Sequence, residues 1–143
     1  MPYEYLDEGV TADVTFHASG GDLDALFTAA ADATINLMVE ELDSVRPLVV
    51  RPVHVEAEAL DLLLFRFLGE ILFYKDAEAL LARARHVAVE TTASGFRLRA
   101  ELCGERIDPS RHRLAADAKG VTLHGLRVGR EGDGWGATVT LDV

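Results

Sequence analysis

Hydrophobic and polar residues alternate at both ends of this chain. From Thr11 to Ala18, Ala12, Val14, Phe16 and Ala18 alternate with Thr11, Asp13, Thr15 and His17. From Trp135 to Val143, Trp135, Ala137, Val139 and Leu141 alternate with Thr138, Thr140 and Asp142. A period of two sends one set into a core and the other to solvent, so both runs predict half-buried strands with Asp13 and Asp142 on polar faces. Ser19-Gly20-Gly21 breaks the first run, and Asp22 is placed to cap a helix. From Leu23 to Leu42 the spacing becomes helical. Leu23, Leu26, Phe27, Ala30, Thr34, Leu37 and Met38 form one stripe, and Asp24, Asp32, Asn36 and Glu40 mostly fall away from it.

Leu48 to Ala59 returns to alternation, with Val49, Val53, Val55, Ala57 and Ala59 opposite His54, Glu56 and Glu58. Pro52 cannot donate to a ladder, which predicts an edge strand or a bulge. A second helix is predicted from about Asp61 to Tyr74, with Leu64, Phe67, Leu68, Ile71 and Leu72 as its main stripe. Leu62, Leu63, Phe65 and Phe73 add apolar surface on other sides, which implies burial on more than one side or a face that receives a partner. The second half is β-rich. Val87, Val89 and Thr91 lead to a turn at Ser94-Gly95, and Phe96, Leu98, Ala100 and Leu102 continue after it. Gly104 to Arg113 is polar and contains Pro109, so a loop is expected; Val121 to Val128 is a further strand, and Gly129 to Gly134 a connection. The order predicts an α+β fold in which two helices pack on a largely antiparallel β-sheet, in one compact domain over residues 1–143.

With 49% hydrophobic residues the chain can fill a core. Its longest apolar candidate, Leu60 to Phe73, is interrupted by Asp61, Arg66 and Glu70, short of the roughly 18 unbroken residues of a membrane span. The first five residues lack the basic and apolar regions of a secretion signal, and the single cysteine, Cys103, has no internal partner. A cytoplasmic location and no membrane partner are the expectation. Fourteen basic against 24 acidic residues give a net charge of −10. That disfavours direct binding to nucleic acid and suits solubility, cation binding or a basic partner.

No phosphate-binding glycine loop, dinucleotide fingerprint or zinc-protease helix motif is present. Cys103 sits in an alternating run and reads as a structural thiol. His17 and His54 fall on polar strand faces, whereas His112 and His124 flank the polar stretch between residues 104 and 119. The sharpest chemistry lies at the two outer runs. If they pair, Asp13, Asp142 and the carboxylate of Val143 converge. Three like charges that close require raised pKa values or a cation between them, and such hard oxygens suit calcium, magnesium or manganese over zinc. A solvated aspartate on each face is the plainer alternative.

Several segments resemble the archease family, in order and over nearly the whole chain. They are Thr11-Ala12-Asp13-Val14, preceded by Glu8-Gly9-Val10; the helical Phe67-Leu68-Gly69-Glu70-Ile71-Leu72; the tract from Gly104 through Glu105, Asp108 and Pro109 to His112; Lys119-Gly120-Val121-Thr122-Leu123-His124; Leu126-Arg127-Val128; and Trp135 to Val143. The resemblance implies a non-enzymatic activator of an RtcB-type RNA ligase. Such a ligase uses GTP and a divalent metal to join a 2′,3′-cyclic phosphate or 3′-phosphate end to a 5′-hydroxyl end, in tRNA splicing or RNA repair. The activator promotes ligase guanylylation and multiple turnover. By the same resemblance Asp13, Asp142 and Val143 hold a divalent ion, calcium first, with manganese or magnesium as alternatives. Lys119 is implied in a supporting role, against the alternative of a surface lysine paired with Asp117 or Glu105. Glu105, Asp108, His112 and His124 are expected near the partner contact, the first three alternatively as residues that fix the loop. Val10, Leu123 and Gly69 depart from the family's His, Tyr and Asn. Two other readings stand beside this one: a small metal-dependent hydrolase using the same acids, and a chaperone-like module binding through the apolar second helix.

Overall fold

Asp22 caps the first helix: its carboxylate accepts the Ala25 N–H at 2.8 Å, and helix α1 runs Leu23–Met38. It ends four residues earlier than the stripe suggests. Val39 turns extended and bridges to Leu114, while the N–H groups of Ala115 and Ala116 donate to the carbonyls of Met38 and Leu37. A distant loop thus satisfies acceptors that the helix end leaves open, so a further turn gains nothing. The computed structural model describes residues 2–6 and 13–143, so Thr11, Ala12 and the Val10 departure lie outside the described residues.

The strands are β1 (Tyr3–Leu6), β2 (Asp13–Gly20), β3 (Val49–Ala57), β4 (Leu80–Thr92), β5 (Gly95–Arg106), β6 (Gly120–Glu131) and β7 (Gly134–Asp142); helix α2 spans Leu60–Glu78. They form two antiparallel sheets, β1-β2-β7-β6 and β3-β5-β4. Helix α1 packs on β2, β4 and β7, and α2 on β3, β4, β5 and β6, so each helix touches both sheets. That explains why Ala29, Ala31, Ala33 and Ile35, off the main stripe, are buried too. The α2 stripe from Leu64 to Leu72 is core, whereas Leu62 and Phe73 remain exposed. The buried residues of both helices and both sheets make one core cluster, in an α+β domain with two helices on antiparallel sheet.

Pro52 lies on an edge strand, as its missing N–H requires. Three features depart from the sequence pattern. Strand β1 is short, and its hold on α1 is polar: Tyr3 donates to Asn36 Oδ1 at 2.9 Å and Tyr5 to the Ala33 carbonyl at 2.7 Å. Gly104, Glu105 and Arg106 belong to β5 and not to a loop, which begins at Ile107. The 129–134 connection shrinks to a turn at Gly132-Asp133, since Glu131 already pairs with Gly134. Bulges interrupt β4 between Arg85 and Ala88, where His86 takes a left-handed φ of 54°, and β6 between Thr122 and Arg127.

Candidate metal centre

The outer runs pair. β2 and β7 are antiparallel neighbours in a register that sets Asp13 directly opposite Asp142, and both are exposed. Opposed residues in such a pair hold their Cβ atoms about 5 Å apart on one face of the sheet. On the other side of β7 the register partner of Asp142 is Gly120, and a Cβ built there meets nothing within 4 Å. The row therefore reads aspartate, aspartate, open space. Half-buried Val143 follows Asp142 directly. Side chains alone supply only two acids; no group of three or more His, Cys, Asp or Glu suited to a metal occurs among the described residues. The donors fit a hard cation in kind, all carboxylate oxygen, but a calcium shell of 6–8 oxygens needs the Val143 carboxylate and further ligands from outside the row.

Two residues inward on each strand, Thr15 and Thr140 oppose each other with their hydroxyl oxygens 2.8 Å apart, and each is only 8% exposed. These threonines lie on the face assigned to solvent yet are covered. The matched β-branched hydroxyls, two residues from each aspartate, were the available signal. They stiffen the strand pair behind the acids. His17, further along this face, lies 2.9 Å from Glu131.

Lys119 is exposed, and its backbone N–H donates to the Asp142 carbonyl at 2.7 Å. The two acids expected as partners of its ammonium are paired with other cations: Asp117 with Lys75, and Glu105 with Arg46 and Arg111. Sequence reasoning missed Lys75. It lies in the last turn of α2, only 6% exposed, and its ammonium donates to Asp117 Oδ1 at 2.6 Å and to the Ala118 carbonyl at 2.7 Å. Asp76 Oδ1 lies 2.9 Å away. Burial pulls its pKa down, and the hydrogen bonds and charges of Asp117 and Asp76 outweigh that pull, holding it above the ordinary lysine value.

Glu105, Asp108 and His112 form a separate network at the end of the other sheet. Glu105 is 5% exposed and accepts the Arg46 backbone N–H at 2.6 Å, the Arg46 guanidinium at 3.2 Å and the Arg111 guanidinium. Burial alone would raise its pKa; the two arginines win and hold it at about 2. Asp108 accepts from the Ser110 hydroxyl at 2.6 Å and its N–H at 3.0 Å, which lowers its pKa. His112, 2% exposed, accepts the Asp108 N–H on Nδ1 at 2.9 Å, and its Nε2 lies 3.0 Å from the Arg111 guanidinium. In this geometry the three side chains brace the loop that leads to Lys119. His124 and Leu123 are exposed within the β6 bulge. Cys103 is buried, and burial raises its thiol pKa, away from nucleophilic use.

Residues 3–143 match the sequence profile of the Archease protein family (MTH1598/TM1083). The chain belongs to the archease family. It is 35% identical to the protein archease of Pyrococcus abyssi over 134 residues, 93% of this chain and 94% of that one. It is 33% identical to that of Methanopyrus kandleri over the whole of both chains. Among solved structures, protein 1598 of Methanobacterium thermoautotrophicum superposes with a TM-score of 0.85 at 31% identity, covering 99% of each chain. The Thermotoga maritima archease, described as a possible chaperone, shares the fold at a TM-score of 0.62 and 17% identity, covering 94% and 93%. Within this archease fold the two aspartates arrive from the two central strands of the four-stranded sheet.

Proposed function

We propose that this archease-family chain is a non-enzymatic, cytoplasmic activator of an RtcB-type, GTP-dependent RNA ligase acting in tRNA splicing or RNA repair. The observation that carries the reading is the opposition of Asp13 and Asp142 at an exposed strand end. Two carboxylates facing each other repel, and a divalent ion relieves that repulsion. Asp13, Asp142 and the Val143 carboxylate would hold it, calcium first and manganese or magnesium next. Bound there, the ion supplies positive charge where a partner's oxygen ligands or phosphates complete its shell. Lys119, fastened beside Asp142, would orient the acids or a phosphate. His124 and Leu123 on the bulge are accessible for ligase contact, whereas Glu105, Asp108 and His112 keep the approach to Lys119 in place.

Activation requires that the protein bind the guanylate-accepting state of the ligase better than its other states. A net charge of −10 speeds encounter with a basic, RNA-binding partner and makes the effect salt-dependent. The hydrolase reading gains no nucleophile or base from Cys103 or His112: both belong to the other sheet and its loop, the thiol is buried with a raised pKa, and the imidazole is held by the Asp108 N–H. The chaperone reading, which matches the description of the Thermotoga maritima archease, would have to use Leu62 and Phe73, since the α2 stripe from Leu64 to Leu72 faces the core. The test is RNA joining by limiting ligase from the same source, with and without this protein. Repeated turnover should appear only with it, and the protein alone should turn over nothing. Equal ligation without it, or hydrolysis by the protein alone, contradicts the proposal.

A further inference from the structure

Lys75 is a buried charge that the proposed chemistry does not use. A buried ammonium is costly unless fully paired, and a methionine would fill the same helix position without that cost. Its Nζ reaches Asp117, Ala118 and Asp76 at 2.6, 2.7 and 2.9 Å, three partners for its three donors. Two of the three lie on the segment that enters β6. Ala118, held by its carbonyl, is fully buried. The next residue, Lys119, donates its N–H to the Asp142 carbonyl, and the one after, Gly120, is the register partner of Asp142. This end of β6 needs such an anchor. β6 is an edge strand, and only Gly120, Val121 and Thr122 pair with β7 before the bulge breaks the register.

We propose that Lys75 is a positioning residue for the acidic row: its ammonium latches residues 117–118 to α2, so that Lys119 stays on the main chain of Asp142 and Asp142 stays opposite Asp13. The inference rests on the metal reading of that row and extends it to a residue that touches neither aspartate of the row. Charge and position act in opposite directions here. Removing a positive charge from acidic surroundings would by itself tighten cation binding, whereas loss of the latch loosens it.

Wild-type protein, Lys75→Met, Asp117→Asn and Asp142→Asn are compared by two readouts. The first is amide exchange at Lys119, read by NMR against the amides of central β7. The second is affinity for terbium, a hard oxygen-seeking ion that reports its binding by luminescence. In Lys75→Met, exchange at Lys119 should rise about tenfold or more while central β7 stays protected. Terbium affinity should fall about 10–100-fold, the range of outer-shell effects on metal sites. Asp117→Asn should move both readouts the same way by less, and Asp142→Asn should abolish terbium binding. A folded Lys75→Met with unchanged Lys119 exchange, or with equal or tighter terbium binding, overturns the latch. If Lys75→Met does not fold, Asp117→Asn decides at an exposed site, and unchanged exchange there overturns it equally. Wild-type protein that takes up no terbium overturns the metal reading itself, an outcome separate from failure of the latch.

Discussion

Replacing Glu105 by Gln removes a charge from a buried acid paired with two arginines. The carboxylate receives three donor groups from Arg46 and Arg111 at the end of β5 and ties together the segment before β3 and the loop before β6. A pKa of about 2 against an ordinary 4.5 corresponds to about 3 kcal/mol of preference for the folded state. Arg46 is half-exposed, so solvent screening reduces this to about 2 kcal/mol. Because the folded pKa is depressed, the contribution is complete above about 4.5 and disappears as pH falls toward about 2. Urea denaturation of both proteins from pH 7 to pH 2 isolates it, since other carboxylates titrate alike in each. Glu105→Gln should be less stable by about 2 kcal/mol at pH 7, about 6 °C in Tm. The gap should begin to close below about pH 5 and vanish near pH 2. A gap that stays constant with pH would show that packing and not charge is responsible, and no gap at all would refute the network's role.

Gly69 lies inside α2 with nothing within 4 Å of a built Cβ, so Gly69→Ala should add about 0.5–1 kcal/mol in thermal denaturation. Gly104 is the reverse case: a Cβ there would sit 2.6 Å from Ala82 Cα and closer still to the Leu81 carbonyl, so Gly104→Ala should lose at least about 1–3 kcal/mol by the same measurement. Asp142→Asn removes one of two opposed like charges. In chelator it should be more stable than wild type by up to about 1 kcal/mol, and added calcium should stabilise only the wild type.

The single-sided strands were legible in the sequence. A one-residue slip would expose Phe16, Val139 and Leu141, so alternation alone placed Asp13 and Asp142 on the polar face. That the two strands are neighbours, and in a register that opposes the acids, is a property of the sheet as a whole. The first half of β4 escaped because Leu80, Leu81 and Ala82 are buried in succession and no period of two survives. Glu105 read as loop because a charged residue is rarely buried, and the arginines that make burial tolerable lie elsewhere in the chain. Lys75 was invisible for the same reason: its partner Asp117 is 42 residues away. Local pattern shows which face a residue takes, whereas compensation of buried charge is decided by tertiary contacts.

The central claim is that Asp13 and Asp142 act together on a ligase. Its most direct test is guanylylation of an RtcB-type ligase from the same source, at limiting ligase with GTP and a divalent metal. Wild-type protein should accelerate and sustain guanylate loading. Asp142→Ala, folded by circular dichroism because the site lies at an exposed strand end, should not. Full stimulation by Asp142→Ala would contradict the account.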